Sequence, residues 1–188
     1  LQEKLGSDLL SGIGFGLSFG SSLVFGWFAG VLCDRVSPVR VIHGAHAVFA
    51  LSLLGLWWTE TTASAQMQVA GTLLSAFLGG LAWSFLGPAR LATLGQWVPA
   101  DKLKPASILF NLQVLIGFGL APVLIGLVRS HAGWTTVFLL GMALFLASSL
   151  MLWGARAQGN AQPGRGVLAD MAEGFSAVGA NPLLRQLV

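Results

Sequence analysis

Charge is scarce in this sequence. Asp, Glu, Lys and Arg make up 9% of its 188 residues against 55% hydrophobic residues, and the mean hydropathy is +0.77. A soluble domain carries roughly a quarter charged residues, so that class is excluded. The lone cysteine, Cys33, excludes an internal disulfide and a thiolate metal cluster, and is expected simply as a small buried residue. The first ten residues carry Glu3, Lys4 and Asp8 and lack the apolar centre of a cleavable signal peptide. Also missing are a P-loop, a dinucleotide fingerprint, paired cysteines, HExxH and GxSxG, so no catalysis, cofactor or metal is expected. His43 and His46 stand three apart without a third ligand at metal spacing and read as packed or interfacial histidines. An intramembrane protease needs acids, or Ser with His, at depth, whereas the acids here fall at connectors.

What is present is length in apolar runs. About 20 apolar residues cross the hydrocarbon as a helix, and five stretches qualify: 11–33, 39–58, 69–87, 106–128 and 134–154. The expected fold is therefore an all-α integral membrane bundle. The connectors sort by sign: Arg35, Arg40, Arg90, Lys102, Lys104, Arg156, Arg165 and Arg185 fall on one side, Lys4 and Arg129 on the other. The positive-inside rule puts the first set in the cytoplasm and residue 1 outside, with residue 188 cytoplasmic. The same distribution accounts for a net charge of +3 and a pI near 9.8 without nucleic acid as a partner. Trp57, Trp58, Trp97, Trp134 and Trp153 fall at span ends, where an indole keeps its N–H wet; Trp27 and Trp83 fall inside spans.

The densest charged patch is the turn from Gly30 to Arg40, which belongs at a membrane face. The span before it carries Gly12, Gly16, Gly20, Gly26 and Gly30 in one stripe, expected to let a neighbouring helix approach closely. A longer inner connector is expected over 87–105, punctuated by Pro88, Pro99 and Pro105. Beyond Gly154 a Gly, Gln and Pro rich linker leads to an amphipathic pattern of Val167, Leu168, Met171, Phe175 and Val178, closed by Asn181-Pro182. The division expected is an external segment over 1–10, five transmembrane helices over 11–154, and over 155–188 a cytoplasmic linker with the start of another span.

The residues Gly30-x-Leu32-Cys33-Asp34-Arg35-x-Ser37-x-x-Arg40 resemble the G-x-L-A-D-R-x-G-R-K loop of the major facilitator superfamily, with Cys33, Ser37 and Pro38-Val39 as departures. Gly119, Pro122 and Gly126 are similar to the Gly-Pro-x-x-Gly-Gly pattern of its exporters, with Ala121 and Ile125 departing from it. The runs around Gly87-Pro88-Ala89-Arg90, Val98 to Leu103 and Asn181 to Arg185 look like the branch of the enterobactin exporter and macrolide efflux proteins.

The resemblance implies helices two to six of a twelve-helix transporter, a fragment lacking helix one and the second half of the same chain. It implies proton-coupled efflux of a small amphipathic molecule, of drug or siderophore type, from the cell membrane by alternating access. The alternatives are an importer or lysophospholipid-type flippase on the same scaffold and, from another class, a scaffold or receptor subunit, against which the short outer loops speak. It implies a cytoplasmic gate of Gly30, Asp34, Arg35, Arg40 and Arg90, with Arg90 as the expected partner of Asp34. Ser18, Ser22, Ser75, Trp83, Asn111 and Gln113 are the expected cavity residues. Asn111 and Gln113 are two apart, so at most one faces the cavity squarely. No acid lies at depth in these spans, which places a proton carrier in sequence outside this chain.

Overall fold

The computed structural model describes residues 8–62 and 64–157. The termini, including the linker and amphipathic pattern expected after Gly154, lie largely outside the described residues. Every regular element described is helical: α1 (Asp8–Arg35), α2 (Pro38–Thr62), α3 (Ala65–Trp97), a single 3-10 turn (Ala100–Lys102) and α4 (Leu103–Met151). All four α-helices are long and apolar enough to cross a membrane.

Helix α1 runs through 28 residues without proline, with Asp8 in its first turn and Arg35 in its last, each sign matched to the local end of the helix dipole. Ser37 then breaks the chain, and Pro38 opens α2 at a position where its missing N–H costs nothing. The Ser37 carbonyl accepts from the amides of Arg40 (2.9 Å) and Val41 (3.2 Å), so the charged turn is a tight corner. Helix α3 continues through Pro88 to Trp97, ten residues beyond the expected end of its span. The connector expected over 87–105 thus reduces to Val98, Pro99 and the 3-10 turn, because proline inside a long apolar helix bends it without ending it.

A straight helix of the 49 residues of α4 would run about 74 Å, more than twice the hydrocarbon thickness. It does not run straight. Gly133 has φ 75° and ψ 176°, a conformation open to glycine alone among common residues. Phe110 and Ser148 line one cavity, although a straight helix would hold them about 57 Å apart. The chain therefore reverses at Gly133 into two arms, 103–132 and 134–151, each long enough to span. These are the last two spans expected from the sequence, joined more tightly than the sequence implied.

Helix α3 sits between α1 and α2, and α2 also packs against the second arm of α4. At the end nearest the charged turn the core combines small residues, Cys33, Ala45, Ala82 and Ala89, with Val41, Ile42 and Leu86. Phe49 of α2 stacks on Phe145 at 4.7 Å between ring centroids, and Trp97 Nε1 donates to the Arg156 carbonyl at 3.1 Å, tying the end of α3 to the end of α4. Large apolar residues such as Leu23, Leu115 and Leu150 lie exposed, as lipid-facing positions of a membrane bundle do.

The glycine stripe of α1 behaves differently from expectation. Among the described residues, a Cβ added at Gly12, Gly16, Gly20, Gly26 or Gly30 would meet nothing within 4 Å. Close approach comes from α3, where Gly80 lies against the backbone of Ser18. Spacing identifies a smooth stripe, but only packing decides which helix uses one.

Candidate functional site: an aromatic cavity and a basic groove

The bundle is hollow toward Gly133. The hollow is a cavity of about 420 Å³ whose walls come from every helix: Ser18 and Phe19 of α1, Phe49, Ser52 and Leu56 of α2, Thr72 to Trp83 of α3, and Phe118, Trp134 and Phe138 from the two arms of α4. Thr72, Ser75, Gly79 and Trp83 are three and four residues apart and so share one face of α3. Trp83 meets Phe118 edge to face, with centroids 5.6 Å apart, and Trp134 stacks on Phe138 at 5.7 Å. Edge-to-face and offset contacts of this kind leave ring faces available to a planar guest.

Hydroxyls are set into this aromatic wall. Ser18 Oγ lies 3.0 Å from the Gly14 carbonyl and 3.2 Å from that of Ala76, bridging α1 to α3. Ser52 Oγ donates to the Ser75 carbonyl at 2.7 Å. Thr72 is 1% exposed, and its Oγ1 has no hydrogen-bond partner among the described residues. A buried hydroxyl without a partner costs about 1–3 kcal/mol.

Of the six cavity residues expected from the sequence, Ser18, Ser75 and Trp83 line this space. Ser22 sits in the seam between α1 and α3, 3.3 Å from Ser84 Oγ. Gln113 lines a neighbouring groove of about 380 Å³ with Trp83, Arg90 and Pro122, while Asn111 is exposed outside both. Thr72 was missed although its spacing from Ser75 was visible in the sequence. Phe118 and Phe138 carried no such signal, because only the reversal at Gly133 brings their arms together.

The gate residues are spread over one end of the bundle. Asp34 is exposed at the end of α1, and Arg40 is exposed at the start of α2. Arg90 is half-buried on α3, seven residues from Trp83 and seven from Trp97, and so faces α4 with both. Among the described residues no ion pair joins Asp34 to Arg90. Gly119, Pro122 and Gly126 lie exposed on the first arm of α4, with Pro122 facing the Gln113 groove.

A bundle of long apolar helices with a cavity between them and a charged turn at one end is the architecture of a multi-pass membrane protein. The family model for the Major Facilitator Superfamily matches residues 1–187, and the chain belongs to that family. It is also similar to the tetracenomycin C resistance and export protein of Streptomyces glaucescens, at 28% identity over 134 residues, covering 69% of this chain. The matched stretch is 24% of that relative's length, so this chain corresponds to about a quarter of it.

Proposed function

We propose that the protein exports a small, largely aromatic amphipathic molecule across the cell membrane by alternating access, driven by a proton gradient. The observation that carries the proposal is the 420 Å³ cavity, in which six aromatic side chains face a set of hydroxyls. Such a lining stacks a planar apolar body and hydrogen-bonds its polar edge, with no formal charge to demand one of opposite sign in the substrate. The export direction is supported by the similarity to an export protein, and the proton is the part of the proposal that the vesicle experiment must supply. Within the proposal, Asp34 with Arg35, Arg40 and Arg90 forms contacts that hold the cytoplasmic side shut and break as the bundle rocks.

The deciding experiment is transport by the full-length protein in sealed vesicles. A neutral planar aromatic dye should move in the export direction when a pH gradient is imposed, and collapse of the gradient should abolish the movement. Gradient-independent movement removes proton coupling, and uptake of lysophospholipid in place of dye favours the flippase reading.

A further inference from the structure

Where α1 and α2 part beside the charged turn, they leave a groove of about 300 Å³ with α3 as its floor. One wall is the end of α1 at Leu32 and Val36, the other is the start of α2 from Arg40 to Val48, and Ala82 and Phe85 lie between them. Arg40 is the one lining residue that is not apolar, and no Asp or Glu lines the groove. Val41, Gly44 and Val48 recur at spacings of three and four and so give one face of α2 to it. Leu32 and Gly44 are exposed, so the groove opens on the outside of the bundle, where lipid lies. A Cβ at Gly44 would meet nothing within 4 Å among the described residues, which leaves the middle of the groove clear.

We infer that this groove binds an anionic phospholipid of the leaflet that holds the charged turn, with one acyl chain along α2 and the phosphate on the Arg40 guanidinium. The stretch from Arg40 to Val48 is about 12 Å of helix, close to the depth of one leaflet in a hydrocarbon layer of about 30 Å. Arg40 is exposed at the start of α2, where its stem covers the apolar wall and its head reaches the membrane face. A guanidinium takes a phosphate through two parallel bonds. The turn adds Asp34 and Arg35, which leaves the mouth net positive and favours an anionic headgroup over a zwitterionic one. Another helix, about 10–12 Å across, is too wide for a groove of this volume, whereas an extended chain fits along it. The groove shares no residue with the aromatic cavity and does not involve Arg90, so the inference stands whether or not the export proposal does.

The test is photocrosslinking of the full-length protein in phosphatidylcholine vesicles that contain phosphatidylglycerol with a diazirine on one acyl chain, the adducts being located by peptide mass spectrometry. Adducts should fall on 41–48 and 81–85 and disappear under excess unlabelled phosphatidylglycerol. Phosphatidylcholine carrying the same diazirine should mark these positions about fivefold less, and Arg40→Gln should lower labelling by phosphatidylglycerol about fivefold, the worth of one basic residue beside an anionic headgroup. Arg40→Lys, which keeps the charge, should retain most of the labelling. Gly44→Leu fills the groove and suits a helix better than glycine does, and it should remove the adducts from Val48 and Leu81. Equal labelling by the two lipids, labelling indifferent to Arg40→Gln and Gly44→Leu, or no adducts because the rest of the protein or a second copy covers the groove overturns the inference.

Discussion

Ser18 of α1 and Gly80 of α3 meet backbone to backbone, and a Cβ at position 80 would run into the Ser18 main chain. Beside that contact the Ser18 hydroxyl reaches the Ala76 carbonyl. Main chain yields less than a side-chain tip, so Gly80→Ala must push the two helices apart. Overpacking of this kind costs about 1–3 kcal/mol. The expected result is a lower unfolding temperature in detergent for Gly80→Ala and no change for Gly87→Ala, where the added methyl meets nothing within 4 Å among the described residues.

Thr72 offers a variant that separates stability from binding. Thr72→Val removes a buried hydroxyl that has no partner among the described residues, so the empty protein should become more stable. Oγ1 itself is closed off from the cavity, so dye affinity should stay unchanged. A loss of affinity in Thr72→Val, read by titration of the aromatic dye, would show that the hydroxyl turns to the substrate on binding.

Trp83 closes one side of the cavity and meets Phe118 across it. Trp83→Ala should weaken dye binding by about tenfold or more, since burying a large apolar side chain against a ligand is worth about 1.5–3 kcal/mol. Trp27→Ala, at an exposed position on α1, should leave binding as it was.

The reversal at Gly133 depends on a positive φ. Gly133→Ala places a Cβ where L-residues are strained, at about 1–3 kcal/mol, and should lower the thermal stability of the bundle. Arg129 helps to fix the same corner, with its guanidinium 4.7 Å from the centroid of the Trp134 ring. Gly126→Ala, within the regular first arm, should be neutral or slightly stabilising.

Asp34 and Arg90 are not joined here, so their proposed pairing belongs to another stage of the cycle. Asp34→Asn should cut export, and the exchange Asp34→Arg with Arg90→Asp should restore part of it. A double variant no better than either single one would end the pairing.

The positive-inside count predicts a sidedness that single cysteines in a Cys33→Ser background can check. Ser37→Cys should react with an impermeant thiol reagent only from the cytoplasmic face, and Ser130→Cys only from outside. The reverse pattern would invert the topology.

The sequence by itself determined the class of the fold. Too few charges to stay in water, five runs of span length, and cations gathered on alternate connectors leave little besides a membrane bundle, because hydrocarbon penalises charge and unpaired backbone far more than water does. Pro38 and Ser37 likewise fixed the tight corner through local geometry alone. The tertiary structure decided which faces meet. The glycine stripe of α1 looks outward while one glycine of α3 takes the close contact, and a two-arm hairpin at Gly133 sets Phe118 beside Trp134 and Phe138. His46 and Arg90 share a wall although they stand 44 positions apart in sequence. Nearly every residue in these spans is apolar, so periodicity has little contrast with which to tell a lipid-facing side from a neighbour-facing one. Packing between helices supplies that information, and it exists only once the chain has folded.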